Sequence, residues 1–450
     1  MSKKILAAIC LVMMFSLTAC SDGAKETNSS PTSSPEAENK GTTDLDTSNE
    51  EVAIRFTWWG DTTRHEKYNA ICDAFEKETG IKVEREPNSW TDYWDKLAVQ
   101  VAGGTAPDVI GMHSQFVSDY AMRDALLDLE PYIEDGTIET ENIPDSVLET
   151  GRVNGKIRMI GQGVTTASLI TNKTLLDEYG ITYPAYDEDW TMDEFMAAGE
   201  AFVKATDGKI WFTNDWGSGS MNNLRYYAKM SGGEAYTEDG QLGFTQTMVE
   251  EWFTWWDELR KKGIAPDAAS STEDGTNALE QKIFTVRKAA MHNVPANQLY
   301  LYQEQMPEDE IVLLRQPIKN DGSQGAIIEG AHNSVPVTSQ HPKEAAMFIN
   351  FFVNNYDAVS ILQMEQGVPI NTKLTEEIDP LLSEPNKICR DFVNSYLEVA
   401  TNFVYAPTGA LEIDTAFKNA GSSVAYGQAT PAEAAASFMK EAQAIIDKNK

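Results

Sequence analysis

The chain has 450 residues, 42% of them apolar and 10% aromatic, enough to bury one large core or two ordinary ones and far from the composition of a disordered protein. Thirty-six Lys and Arg against 69 Asp and Glu give a net charge of −33, a field that repels polyanions and excludes nucleic acid as an expected partner. Four cysteines (Cys10, Cys20, Cys72 and Cys389) without a C-x-x-C pair are too few for a disulfide framework, and no His/Cys cluster has zinc spacing, so no metal or other cofactor is expected.

Lys3-Lys4, a mostly apolar stretch from Ile5 to Leu17 and small residues before Cys20 follow the order of a secretory signal. The stretch is shorter than the ~20 apolar residues a membrane span requires, so residues 1–19 are expected to be a removable leader. Leu17-Thr18-Ala19-Cys20 resembles the bacterial lipobox, which implies cleavage before Cys20, acylation of its thiol and anchoring at the extracellular face of the cell membrane. From Ser21 to Glu50 only Ala24, Ala37 and Leu45 are apolar, so burial cannot offset ordering entropy. Residues 20–50 are predicted to be a flexible tether reaching about 30 Å.

Residues 52–58 are rich in strand formers, and Trp59-Gly60-Asp61-Thr62-Thr63 breaks the run before a helix. Tyr68, Ile71, Cys72 and Phe75 give that helix an apolar face, and Gly80 is placed to end it. A second strand follows at 81–84, then a helix over 90–101 stopped by Gly103-Gly104, then a third strand at 107–112. Further helices are predicted near 172–178, 191–205 with a Thr191-x-x-Glu194 capping box, 247–262, 343–354 and 431–447. Repeated βα units predict an α/β fold with a mainly parallel sheet, whose loops at strand ends carry function. Cys72 and Cys389, each among apolar neighbours, are expected to be buried filler, with pairing between them left open.

Aromatic residues recur near these strand ends: Trp58-Trp59, Trp90, Trp211, Trp216 and Tyr405. Flat rings beside Asp, Asn, Gln, Arg and His suit a sugar, which needs a surface for its C–H face and planar groups for its hydroxyls. Trp252, Trp255 and Trp256, at helical spacing, are assigned to the core. The ordered set Phe56-Thr57-Trp58-Trp59-Gly60, Ala74 to Val83, Ala102-Gly103-Gly104-Thr105-Ala106-Pro107-Asp108-Val109, Asn154-Gly155-Lys156, Thr171 to Leu176, Lys288 to Met291 and His341 to Ile349 resembles the family 1 extracellular solute-binding proteins of sugar ABC importers, the group that includes maltose-binding protein.

The resemblance covers residues 51–450 and implies a two-lobed periplasmic-binding-protein-like fold of type II, with the ligand in a cleft between discontinuous lobes. The lobes are placed at 51–164 with 331–380 and at 165–330 with 381–450, joined by crossings near 164–166, 328–331 and 379–383. The implied function is non-catalytic: a monomer captures a sugar or oligosaccharide and delivers it to a membrane permease.

Candidate ligand contacts are Trp59, Asp61, Arg64, Trp90, His113, Gln115, Gln162, Asn214, Asp215, Trp216, Asn293, Glu329, His332 and Tyr405. Trp59 and Trp216 are the expected stacking platforms, and His113 and Gln115 follow the third strand at its carboxyl end. The pair Arg64-His65 resembles a subgroup that includes binders of acidic pectin-derived oligosaccharides, which leaves a uronic ligand open; an arginine suits a carboxylate through paired hydrogen bonds. A secreted hydrolase or lyase and a sugar-sensing subunit are the alternatives. No G-x-S-x-G, H-E-x-x-H or P-loop motif supports an enzyme.

Overall fold

The computed structural model describes residues 52–397, 399–400 and 404–449. The expected leader, Cys20 and the tether lie outside them. Two sheets organise the described residues, built from β1 (Ala53–Trp59), β2 (Lys82–Asn88), β3 (Val109–His113), β4 (Ile160–Gly161), β5 (Ala167–Asn172), β6 (Trp211–Thr213), β7 (Ala289–Pro295), β8 (Ile311–Leu314) and β9 (Ala331–Ser334). The first sheet has the order β2-β1-β3-β9-β4 and the second β8-β5-β7-β6.

Local chemistry sets the first βα unit. Ile54, Phe56 and Trp58 alternate along β1 and are fully or almost fully buried. Asp61 then caps the helix Thr62–Thr79 by accepting the Arg64 N–H, at 3.1 Å, and Gly80 ends it at φ 75°. The buried residues of that helix are Tyr68, Ile71, Cys72 and Phe75, the predicted face. The capping box at Thr191 is formed as expected. In the second lobe Trp252 and Trp256 are buried beside Trp216 and Phe212, and the helices Ala410–Ala425 and Pro431–Lys448 pack over the helix Gln246–Lys261 that carries them.

The expectation of a mainly parallel sheet is corrected. β1 is parallel to β2 and β3, but β9 is antiparallel to both β3 and β4. In the second sheet β5 is antiparallel to β8 and β7, and only β6 and β7 run parallel. The cause is the chain path: β9 returns from the other lobe after a long excursion, and a strand so delivered is free of the right-handed crossover that makes neighbours parallel. The open question of Cys72 and Cys389 also closes, since both are buried free thiols. Burial pushes Cys72 up to about 12, which makes it a poor nucleophile.

The lobes meet where three backbone segments approach one another, and the third of these is 366–368 rather than the crossing expected at 379–383. Thr165 and Glu329 exchange two backbone hydrogen bonds of 2.8 Å, and so do Val164 and Val368. This close approach demands glycine. A methyl group on Gly330 would overlap the Gly163 carbonyl oxygen, one on Gly163 the Gln366 carbonyl, and one on Gly367, which sits at φ 99°, the Val164 carbonyl. Gly330→Ala is therefore expected to lower stability by ~1–3 kcal/mol through overpacking in urea melts. Gly275→Ala, exposed with open space around it inside the helix Ala268–Thr276, should be neutral or stabilising in the same assay.

Candidate functional site

A cavity of about 770 Å³ lies between the lobes, at the carboxyl ends of β1, β3, β6 and β7. Its two walls differ in chemistry. The first lobe presents Trp59, Trp90 and His113, with Asp61, Arg64, Gln115 and Gln366 around them. The second lobe presents carboxamides: Asn214, Asn222, Asn223, Asn293, Asn297 and Gln298, beside Trp216 and Ser220. Glu329 and Thr165, which pair through their backbones at the crossing, also line it.

The aromatic wall is a packed cluster with one open member. Trp90, at the start of the helix Trp90–Ala102, meets Trp59 edge-on at 5.3 Å and His113 at 5.5 Å. Trp90 is 41% exposed, whereas Trp59 is 7% exposed and wedged among Tyr93, Trp94 and His113. The Gln115 N–H donates to His113 Nδ1 at 3.2 Å, so Nε2 carries the ring proton. Burial, with Arg225 and Arg64 nearby, pushes His113 down to about 4 and keeps it neutral at pH 7.

On the opposite wall Asn214, Asn222, Asn223 and Asn293 are each oriented by a partner. Asn214 Oδ1 accepts the Asn293 N–H at 2.9 Å, and Asn293 Nδ2 donates to the Ser168 carbonyl at 3.1 Å. Asn223 donates to the Trp216 carbonyl, and Asn222 donates to Glu329 Oε1, both at 2.6 Å. Burial raises the Glu329 carboxyl, against the pull of Arg225. A carboxamide has two donors and two acceptor sites, so one fixed bond sets its plane and leaves others for a ligand.

Of the fourteen candidate contacts, eleven line this cavity: Trp59, Asp61, Arg64, Trp90, His113, Gln115, Asn214, Asp215, Trp216, Asn293 and Glu329. Three do not. Gln162 is buried in a core network, donating to Asn333 Oδ1 at 2.7 Å and to the His332 carbonyl at 3.1 Å while accepting from Tyr68. The His332 ring is buried against Thr150 Oγ1, at 3.1 Å, and the Tyr405 hydroxyl donates to the Thr150 carbonyl. These residues support the floor of the first lobe rather than face the cleft. His65 is likewise committed, its Nδ1 accepting from Trp58 Nε1 at 3.1 Å. Trp216 is 3% exposed and packed on Trp252 and Trp256, which leaves it little surface for stacking. Asp215 is bound by Arg260 through two hydrogen bonds, of 2.7 and 3.2 Å, both side chains being over nine-tenths buried.

Sequence reasoning missed Asn222, Asn223, Asn297, Gln298 and Gln366. The run from Gly217 to Asn223, a polar loop entering a helix capped by Ser220, carried a signal for the first two. Gln366 follows a chain reversal at Gln363, φ 51°, which no local pattern marks. Among the described residues no three His, Cys, Asp or Glu side chains gather as a metal site, and no helix is long and apolar enough to cross a membrane.

Two α/β lobes, three crossing segments and an interlobe cavity with polar and aromatic walls define a solute-binding protein of the two-lobed class. A family model described as bacterial extracellular solute-binding protein matches residues 70–385, and the chain belongs to that family. It is 26% identical over 287 residues to a galactooligosaccharide-binding protein of Bacillus subtilis (strain 168), covering 63% of this chain and 60% of that relative's length. An extracellular solute-binding protein family 1 structure from Alicyclobacillus acidocaldarius matches with TM-score 0.70 at 27% identity, over 88% of this chain and 98% of the other. A periplasmic oligogalacturonide binding protein from Yersinia enterocolitica, in complex with saturated digalacturonic acid, shares the fold with TM-score 0.76 at 22% identity, over 89% and 100% of the two chains.

Two predictions follow from the charged groups. Asp215→Ala strands the buried Arg260 cation and is expected to cost ~3–5 kcal/mol of stability, seen in urea melts without any ligand. Burial also holds His332 down at about 4 and His292 at about 3. Like His113, these rings stay neutral in the folded protein while the unfolded chain takes up protons below its ordinary 6.5. Stability is thus complete above that pH and falls as pH drops toward 4. His292→Phe, between Phe284 and Tyr302, should make the fall between pH 7 and 5 shallower.

Proposed function

We propose that this protein binds an oligosaccharide without altering it, and that the ligand lies across the cleft with a ring against Trp90 and its hydroxyls on the carboxamides of the second lobe. The observation that carries the reading is the division of one cavity into an aromatic wall and an amide wall, contributed by different lobes. A sugar has the matching surfaces, a C–H face and an array of hydroxyls that both donate and accept. The galactooligosaccharide-binding relative and the digalacturonic acid complex support a saccharide as the class.

In this reading the lobes 51–164 with 331–380 and 165–330 with 381–450 bend about the crossings at Val164–Val368 and Thr165–Glu329. Sugar stabilises the closed form only because it touches both walls, which makes its affinity for that form the greater. The closed form is what an ABC-transporter permease recognises, and acylated Cys20 with the 20–50 tether keeps the protein near it at the extracellular face of the membrane. Catalysis is not part of the proposal. Asp215 is tied to Arg260, and Glu329 accepts from Asn222.

A melting and calorimetry screen of neutral oligosaccharides, uronic oligosaccharides, amino acids and peptides tests this, with chromatography of each sugar afterwards. A saccharide is expected to raise the melting temperature and to be recovered intact; shortened products tracking the protein would make it an enzyme. Trp90→Ala is expected to weaken binding by ~1–3 kcal/mol without a matching loss of stability, because the ring is 41% exposed in the free protein. Trp59→Ala, removing a buried ring, should instead destabilise the fold by ~3–5 kcal/mol.

A further inference from the structure

Among the described residues Arg64 is the one Lys or Arg side chain on the cavity wall. Its Nε donates to Glu365 Oε1 at 3.1 Å and Nη1 to the Trp59 carbonyl at 3.3 Å. Glu365 is 5% exposed in its side chain, and its second oxygen accepts from the Tyr300 hydroxyl at 2.9 Å. Asn297 Nδ2 donates to the Glu365 main-chain carbonyl at 3.1 Å. Lys67 lies in the same region, but its Nζ donates to the Leu362 carbonyl at 2.9 Å and it is absent from the wall.

These partners come from both lobes. Arg64 stands on the helix after β1, and Glu365 follows the helix Tyr356–Leu362 that packs against it. Asn297 and Tyr300 lie between β7 and β8 of the second sheet. A buried carboxylate fixed by donors from both lobes thus sits in an ion pair with the one Lys or Arg side chain on the wall. An exposed arginine would pair a ligand carboxylate through charge-assisted hydrogen bonds. Here a uronate would meet a guanidinium whose charge is already opposed by Glu365, and would approach Asp61 and Glu329 in the same cavity.

We propose that Glu365 sets the charge preference of the cleft: by opposing the charge of Arg64 it selects uncharged saccharides over uronic ones. The inference rests on the saccharide reading above and names the residue that separates its two branches. Its test is calorimetry of the full protein with galactobiose, galactotriose, digalacturonic acid and trigalacturonic acid. The wild type is expected to prefer the neutral sugars at least ten-fold. Glu365→Gln should cut that preference ten-fold or more by strengthening uronate binding, an effect lost in 0.5 M NaCl and abolished by adding Arg64→Gln. Tyr300→Phe removes the hydrogen bond to the Glu365 carboxyl from the second lobe but leaves the Arg64–Glu365 pair, so it should shift both classes alike. An unchanged preference in Glu365→Gln would overturn the inference while the saccharide reading stands. If that variant does not fold, the wild type alone decides, since uronate bound more tightly than the neutral sugars, and more so at low salt, overturns it. A wild type that binds neither class removes the saccharide reading and this inference with it.

Discussion

Everything about the site depends on how closely three backbone segments approach where the lobes meet. Val164 pairs with Val368 and Thr165 with Glu329, and Gly163, Gly330 and Gly367 have no room for a side chain. The four hydrogen bonds form a short antiparallel patch that belongs to neither sheet. Such a patch resists sliding but bends, because a few residues absorb the dihedral change while both cores remain packed. Glu329 and Thr165 carry cavity-lining side chains from this same patch, so any rotation of the lobes also moves the cavity floor.

From that junction the two walls inherit different jobs. The first lobe's aromatic cluster is packed as a core, with Tyr93 edge-on to both Trp59 and Trp94 and Phe116 stacked on Trp94. In the proposed reading, a ring docking on Trp90 would meet a surface already ordered by this cluster, which lowers the entropic cost of binding. Four of the second lobe's amides are held by one bond each, Asn223 and Asn293 to backbone carbonyls, Asn222 to the Glu329 carboxyl and Asn214 by accepting a backbone N–H. Preorganised donors and acceptors of this kind reward a ligand whose hydroxyls match and leave buried groups unpaired for one whose hydroxyls do not, at about 1–3 kcal/mol per group.

Much of this was legible in the sequence, for physical reasons that differ by element. The helix Thr62–Thr79 was readable because its apolar period, its Asp61 cap and its terminal Gly80 all act locally. The aromatic wall was readable because strand ends in α/β folds face the cleft, and Trp59, His113 and Gln115 do line the cavity there. Strand direction was not readable: β9 joins β3 after more than two hundred intervening residues, and nothing near either strand encodes that pairing. The same limit hid Gln162, His332 and Tyr405. Each is a polar residue close to a crossing or strand end, but its hydrogen bonds to Tyr68, Asn333 and Thr150 were made by distant segments.

The charges complete the argument about ligand class. The chain carries a net −33, yet the ionisable groups around the cleft are matched locally: Asp215 with Arg260, Arg64 with Glu365, and Glu329 with the Asn222 amide. Long-range field and site chemistry are thus separate. The surface charge affects solubility and repels anions at a distance, while, among the described residues, the one Lys or Arg side chain on the cleft wall is already in an ion pair. A binding site that has satisfied its own ions must discriminate by shape and hydrogen-bond pattern. That is the mode suited to an uncharged saccharide, where every hydroxyl left without a partner on closure lowers affinity.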